Sequence, residues 1–181
     1  LTLFFLHGNV HLSFYASGFS LTNEKVSQAG ILLILSSVLF NLINVWMEEG
    51  VFRGLFTKIL EGISYRKSLF FIAFLFGIWH LVMPLRDYLQ GESSLVNLIV
   101  MGIGYVILAG MMSIKWSLLY KMTGSLWFGL GDHFFNNLAS NLVHVVSNSE
   151  ADSLQIVRIL LWQLLSFAIV LWVYQKTKKK N

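Results

Sequence analysis

The sequence contains no cysteine and a single proline in 181 residues. Without cysteine the chain can form no disulfide and offers no thiol nucleophile. Charged residues make up only 12%, against about 25% in an ordinary soluble domain, whereas hydrophobic residues make up 56%. The basic residues lie at the ends of apolar runs, so nucleic acid is not an expected partner. This composition predicts an all-α polytopic membrane protein.

Five long apolar runs are present, and most of them reach the ~20 residues that a membrane-spanning helix needs. They cover residues 28–57, 68–84, 96–120, 124–146 and 154–175. A further apolar stretch, 1–20, is interrupted by polar residues and is either another spanning helix or an interfacial one. We therefore predict one transmembrane domain over 1–181, with its core at about 28–175, containing five to six transmembrane helices with a polar site inside the bundle. The start at Leu1, with no basic segment of a signal peptide, leaves an earlier transmembrane segment open.

Lysine and arginine are unequally distributed between the alternating ends of these runs. One set of ends holds nine of them, and the other holds three. The larger set comprises Lys58, Arg66, Lys67, Lys115, Lys121, Lys176, Lys178, Lys179 and Lys180; the smaller comprises Lys25, Arg86 and Arg158. The positive-inside tendency places the larger set in the cytoplasm. The basic tail at 176–181 is therefore predicted to be cytoplasmic.

Charged residues interrupt the first run in the segment EEGVFR, residues 48–53. A charge at membrane depth costs roughly 2.5–3.5 kcal/mol on insertion scales, so these residues need a partner or a use. Glu49 and Arg53 are four residues apart, share a helix face and can pair. Glu48 is turned about 100° away from Glu49. One carboxylate therefore has a predicted partner, and the other is a candidate for chemistry.

Two later runs contain pairs of residues at a spacing of four, the aromatic Phe76 with His80 and the polar His133 with Asn137. At a rise of about 1.5 Å per residue, Glu48 and His133 lie about 15 Å, and His80 about 20 Å, from the predicted cytoplasmic ends of their runs. A carboxylate and two imidazoles on three helices thus come to nearly one depth. This predicts one polar site, reached from the cytoplasmic half of the membrane.

These side chains suit hydrolysis of an amide or ester by activated water. A buried Glu48 can act as general base, His80 can hold the water, and His133 with Asn137 can donate two hydrogen bonds to an oxyanion. The patterns G-x-S-x-G and H-E-x-x-H are both absent. We favour a metal-free mechanism, but Glu48, His80 and His133 could also bind one divalent ion such as zinc, with water as the fourth ligand.

The three motifs resemble those of the intramembrane protease family of CAAX prenyl proteases and bacteriocin-processing or immunity proteins, the CPBP family. The segments EEGVFR, FGIWH and HFFNN stand in the family's order of E-E-x-x-x-R, F-x-x-x-H and H-x-x-x-N. The segment YKMTGSLWFGLGDH before the third motif is also similar, and the resemblance covers about residues 28–175. Asp132 is a departure, since an apolar residue is more usual there.

The resemblance implies an endopeptidase that cleaves a membrane-associated protein or peptide within the lipid bilayer. Eukaryotic members remove the last three residues of prenylated CAAX proteins, and bacterial members process bacteriocins or signal-peptide precursors or provide self-immunity. In this family's mechanism Glu48 would be the base, His80 its partner at the water, and His133 and Asn137 the oxyanion hole. The short loops are more like those of a bacterial member, which predicts the bacterial plasma membrane.

Further residues are expected to support this site. The resemblance implies that Glu49 and Arg53 form a pair that shapes it, while Phe76, Trp79 and Trp127 are candidates to line a substrate groove. Two other functions compete with the protease. A non-catalytic scaffold or immunity protein of the same fold would not need all four catalytic residues. A proton-relay transporter would spread its titratable groups across the membrane rather than gather them at one depth.

Overall fold

The structure, a computed structural model, describes residues 10–14, 31–147, 152 and 154–179, most of them in helices. The helices are α1 (Ile31–Glu49), a π-helix (Gly50–Leu55), α2 (Phe56–Ile59), α3 (Tyr65–Trp79), α4 (Val82–Leu89), α5 (Leu95–Thr123), α6 (Leu126–Leu142) and α7 (Gln155–Lys178). Two short strands, β1 (Val10–Phe14) and β2 (Val143–Ser147), complete the described elements.

Four helical stretches are long and apolar enough to cross a membrane among the residues described. They are Ile31–Ile59, Tyr65–Leu89, Leu95–Thr123 and Gln155–Lys178. Many of their large apolar side chains are exposed, as expected of surfaces that contact lipid. The prediction of an all-α polytopic membrane protein is therefore confirmed. The run 124–146 forms the shorter helix α6, of 17 residues, which is below the ~20 residues of a typical span.

The second span is longer than the run 68–84 that predicted it, because Pro84 lies in the first turn of a helix rather than at the end of one. Pro84 is the third residue of α4, within the first turn, where its missing N–H is tolerated. The chain turns at His80 and Leu81, whose N–H groups bond to Gly77 and Ile78 carbonyls three residues back. Helix α3 therefore ends at the residue before His80.

Helices α3 and α5 pack closely because small residues lie between them. A Cβ added to Gly77 would lie 2.8 Å from the Val106 carbonyl oxygen, and one added to Gly110 would lie 3.4 Å from that of Ala73. Small residues allow such close approach between helices in membranes. A buried apolar cluster surrounds this contact, comprising Phe52, Ile72, Phe76, Ala109, Met112 and Trp116. This packing fixes the helix end that carries Trp79 and His80.

Strands β1 and β2 pair antiparallel, with Val10 opposite Ser147 and Phe14 opposite Val143. The prediction of a helix over 1–20 is therefore wrong for 10–14, and the rest of that stretch lies outside the described residues. A helix to residue 146 is likewise wrong for 143–146. In β1, VHLSF, apolar residues alternate with His and Ser, a period-2 pattern typical of strands, and β2, VHVVS, keeps this alternation over its first three residues. A count of apolar residues cannot reveal that pattern.

The described residues fall into two compact units. The Glu48 unit comprises those within Glu48–Leu130 and Phe167–Asn181, and the strand unit comprises those within Leu1–Met47 and Gly131–Ser166. The single domain predicted over 1–181 stays a prediction.

Candidate active site

The first motif lies where α1 passes into the π-helix. Glu48 and Glu49 are the last residues of α1, and Arg53 lies within the π-helix Gly50–Leu55. Single-turn π-helices are rare and occur frequently at functional sites. All three charged side chains are buried, Glu48 being 3% and Arg53 1% exposed. Arg53 Nη1 lies 3.3 Å from Glu49 Oε1, the contact that the spacing of four residues predicts.

Aromatic rings enclose the Arg53 guanidinium. Its Cζ lies 4.5 Å from the ring centroid of Phe76, 5.1 Å from that of Trp116 and 6.0 Å from that of Phe52. Such cation–π contacts stabilise a desolvated cation by roughly 2 kcal/mol. Within the described part of the chain, none of the three guanidinium nitrogens has an acceptor in hydrogen-bonding geometry. The charge of Arg53 is therefore held by the Glu49 ion pair and by the rings.

Helix α6 approaches Glu49 through a glycine. A Cβ added to Gly129 would lie 3.3 Å from Glu49 Oε2 and 3.5 Å from Trp116 Cβ. Trp116 thus packs against both Gly129 and Arg53. Sequence reasoning missed both residues, since neither a tryptophan nor a glycine inside an apolar run stands out by type.

Glu48 accepts a hydrogen bond from a residue of the second motif. The Trp79 indole Nε1–H donates to Glu48 Oε1 over 3.1 Å. Trp79 is 47% exposed, and its ring lies 6.5 Å from that of Phe52. The sequence placed Trp79 among the groove candidates, a role that stays a prediction. The structure adds a direct polar contact with the predicted base.

His80 follows the last residue of α3, and its side chain is tied to Phe76 twice. Its Nδ1 lies 2.8 Å from the Phe76 carbonyl oxygen, and the two rings are 4.6 Å apart. A carbonyl only accepts, so Nδ1 carries the proton in this contact and Nε2 of the neutral ring is an acceptor. A bond to a backbone carbonyl is also what an ordinary core histidine makes. Here it fixes the orientation of the imidazole ring, and the role of His80 at a water molecule stays a prediction.

The third motif lies in the strand unit, on α6. His133 is buried and Asn137 is partly buried, and their spacing of four puts both on one helix face. The neighbouring Asn136 accepts a hydrogen bond from the Gln163 side chain. Asp132, the departure from the family pattern, is partly buried. The convergence of His133 and Asn137 with Glu48 stays a prediction.

Lys115 is a buried charge that the sequence reasoning assigned to a helix end. It is 0% exposed, and its Nζ lies 5.6 Å from the ring centroid of Trp116. Helix α5 continues to Thr123 and is terminated by Gly124, whose φ of 66° is left-handed. Lys115 therefore lies two turns inside the helix. Gly124 is the signal that could have located Lys115 inside the helix, because glycine commonly follows the last residue of a helix.

The Glu48 unit contains two of the three predicted metal ligands, Glu48 and His80, while His133 lies in the strand unit. Among the residues that the structure describes, no three His, Asp or Glu side chains are grouped so as to hold a metal ion. Trp79 donates to one Glu48 oxygen. This contact is compatible with Glu48 acting either as a general base or as a metal ligand. Metal binding by this set thus stays a prediction.

One family model matches the chain, that of type II CAAX prenyl endopeptidases, described as Rce1-like, over residues 30–139. The chain belongs to this family. Its members are CPBP proteases, so the chain has the fold of a CAAX-type intramembrane protease. The matched residues include Glu48, His80, His133 and Asn137. No curated protein and no solved structure matches the chain.

Proposed function

We propose that the chain is an intramembrane endopeptidase in which Glu48 activates a water molecule to hydrolyse a peptide bond. The observation that carries this proposal is the contact between the first two motifs. Arg53 packs on Phe76 at 4.5 Å, and Trp79 donates to Glu48 at 3.1 Å. Both contacts join the π-helix region to the end of α3, where His80 follows. The first two motifs thus meet at a buried carboxylate, through residues that are 31 positions apart in the sequence.

The first step is deprotonation of the water. Glu48 and His80 Nε2 are both acceptors, so one water molecule that donates to both directs an oxygen lone pair away from them. That lone pair attacks the scissile carbonyl while Glu48 takes the proton. The tetrahedral intermediate carries its negative charge on the former carbonyl oxygen. His133 and Asn137 donate hydrogen bonds to this oxygen.

The second step breaks the C–N bond. Protonated Glu48 returns its proton to the leaving nitrogen, so the products are a carboxylic acid and an amine and Glu48 is regenerated. Glu49 does not share this proton, because its charge is paired with that of Arg53. The buried pair leaves Glu48 as the carboxylate that exchanges protons.

The family and the membrane-spanning helices support a proposal for the substrate class. A type II CAAX prenyl endopeptidase, as its name states, acts on prenylated CAAX proteins, and we propose a membrane-associated protein or peptide as substrate here. Precursors of the CAAX type are tested first, and bacteriocin or signal-peptide precursors next. Because Glu48, His80, His133 and Asn137 are all present, the scaffold alternative is not favoured.

The test is cleavage by purified protein reconstituted in lipid vesicles. The first probe is a farnesylated peptide that ends in a CAAX sequence, compared with the unprenylated peptide and with a membrane-anchored precursor. Glu48→Ala should lower the rate by roughly 10²–10⁴-fold, the contribution of a general base. His80→Ala should also slow cleavage, because the water loses its second acceptor. Unchanged cleavage in either variant would refute the catalytic assignment.

The oxyanion role is tested separately. Asn137→Ala should lower kcat by roughly 10²–10³-fold, as expected when one oxyanion donor is removed. The matched control is Asn44→Ala, which removes an exposed amide of α1 and should leave the rate unchanged. Stoichiometric zinc in active protein, with activity lost on chelation and restored by zinc, would favour the metal alternative.

A further inference from the structure

Trp79 connects the exterior of the protein to the buried acid Glu48. Its ring is half exposed, while its N–H reaches Glu48, which is 3% exposed. The Phe52 ring, 6.5 Å away, lies beside it. The tryptophan is therefore placed by packing on one side and by a single directional hydrogen bond on the other.

The indole N–H has properties that suit it to orient a base. It is a donor only, so it can neither accept the proton that Glu48 takes nor exchange roles with it. The terminal torsion of a glutamate side chain is broad and weakly restrained, so a carboxylate without a fixed donor would rotate. A donor at Oε1 fixes the plane of the carboxylate relative to the site where water binds.

The backbone explains why this donor is reliably placed. Trp79 is the last residue of α3, and the next residue, His80, bonds back to Phe76. Helix α3 is locked against α5 at Gly77, where an added Cβ would be 2.8 Å from the Val106 carbonyl oxygen. The packed end of α3 is therefore a platform that presents two consecutive side chains, Trp79 to Glu48 and His80 to the proposed water site.

We propose that Trp79 is a positioning residue for Glu48, whose indole N–H holds the carboxylate in the orientation that activates water. The contact itself is independent of what the protein does, but its catalytic consequence rests on the proposed function. The role differs from lining a groove, because a groove residue would act through its ring and affect substrate binding. A positioning residue acts through its N–H and affects kcat.

The kinetic experiment uses Trp79→Phe, which keeps an aromatic ring and removes the N–H. The expected result is a kcat lowered by roughly 10- to 100-fold, the equivalent of one hydrogen bond to a charged group, with KM unchanged. The control is Trp162→Phe, an exposed tryptophan of α7, which should leave both constants unchanged. A raised KM with unchanged kcat would assign Trp79 to the groove and overturn the proposal.

If Trp79→Phe does not fold, benzothienylalanine incorporated at residue 79 replaces the N–H by sulfur in a ring of nearly the same shape. The same fall in kcat is expected. An unchanged kcat would contradict the role of the N–H directly.

A spectroscopic experiment separates this inference from the proposed function. The indole ¹⁵N–¹H signal of Trp79, assigned by its loss in Trp79→Phe, should move upfield in Glu48→Ala, and that of Trp162 should not. An unmoved Trp79 signal would show that the contact does not exist. If the signal moves but Glu48→Ala retains activity, the proposed function fails while the contact stands. If Glu48→Ala is inactive and Trp79→Phe is fully active, the positioning role fails alone.

Discussion

Each unit of the protein contains an arginine paired with a buried acid, and the two pairs are built differently. In the Glu48 unit, Arg53 is 1% exposed, contacts Glu49 at 3.3 Å and is otherwise surrounded by rings. In the strand unit, Arg158 donates a hydrogen bond to Asp152 and is 25% exposed. The first arginine is closed off from solvent by its burial, so solvent does not reach it to replace a lost partner. The second can be solvated in part.

The acids differ in what surrounds them as well. Asp152 Oδ2 also accepts the Val145 backbone N–H at 2.9 Å and lies 3.8 Å from His144 Nδ1. It thereby joins β2 to the start of α7, which is a structural task. Glu48 instead accepts a hydrogen bond from a side chain, that of Trp79. The residue after Trp79, His80, bonds through Nδ1 to the Phe76 carbonyl. The contacts of Asp152 secure the backbone, whereas the contact of Trp79 with Glu48 is the one on which the proposed role of Glu48 depends.

The largest expected effect is on stability, from Arg53→Met. It leaves the Glu49 charge buried without its partner, which typically costs about 3–5 kcal/mol. Arg158→Met is the matched variant in the strand unit, and its loss should be smaller, since the arginine there is partly solvated. Unfolding free energies in detergent or bicelles measure both. Equal losses of unfolding free energy in the two variants would show that the difference in solvent exposure does not distinguish the two ion pairs.

The next effect tests the platform on which Trp79 and His80 stand. In Gly77→Ala the new methyl meets the Val106 backbone, which cannot rotate away, so a loss of roughly 1–3 kcal/mol is expected. Gly104→Ala on α5, where an added Cβ meets nothing within 4 Å, should leave stability unchanged or raise it by up to about 1 kcal/mol. A Gly77→Ala protein as stable as Gly104→Ala would refute the close contact between α3 and α5.

Asp152→Asn should lower stability by about 1–2 kcal/mol, because a charged acceptor for Val145 and Arg158 becomes neutral. Amide exchange at Val145 should rise together with that loss. If the Val145 amide exchanges as slowly in Asp152→Asn as in the unaltered protein, the structural role of Asp152 is refuted.

The smallest stability effect is expected from Gly129→Ala. Its methyl would lie 3.3 Å from Glu49 Oε2, the end of a side chain that can shift, so the cost should stay below about 1 kcal/mol. Cleavage should nevertheless slow, because Glu49 is displaced beside Glu48. The control is Gly131→Ala, where nothing lies within 4 Å. Identical cleavage rates in the two variants would exclude any influence of Glu49 on the base.

The sequence predicted local contacts well because helical spacing determines them. Glu49 with Arg53 and Phe76 with His80 are four residues apart, and both pairs touch. The strands β1 and β2 were missed because an apolar count does not distinguish a short strand from the end of a helix. Lys115 was placed at a helix end because the length of α5 was underestimated.

The contact of Trp79 with Glu48 could not be read from the sequence. These residues are 31 positions apart, and their meeting depends on how α3 packs, which no periodicity encodes. The same holds for Gly129 against Glu49. Spacing thus identifies which residues share a helix face, whereas packing decides which faces meet.

The most direct test compares Glu48→Gln with Asp152→Asn in single-turnover cleavage, with rates normalised to folded protein. Both variants remove one buried carboxylate charge, one from each unit. We predict that Glu48→Gln lowers the rate by roughly 10²–10⁴-fold without loss of stability, while Asp152→Asn cleaves at the unaltered rate. A Glu48→Gln protein that cleaves normally, or an Asp152→Asn protein that is folded but inactive, would contradict the assignment of chemistry to Glu48.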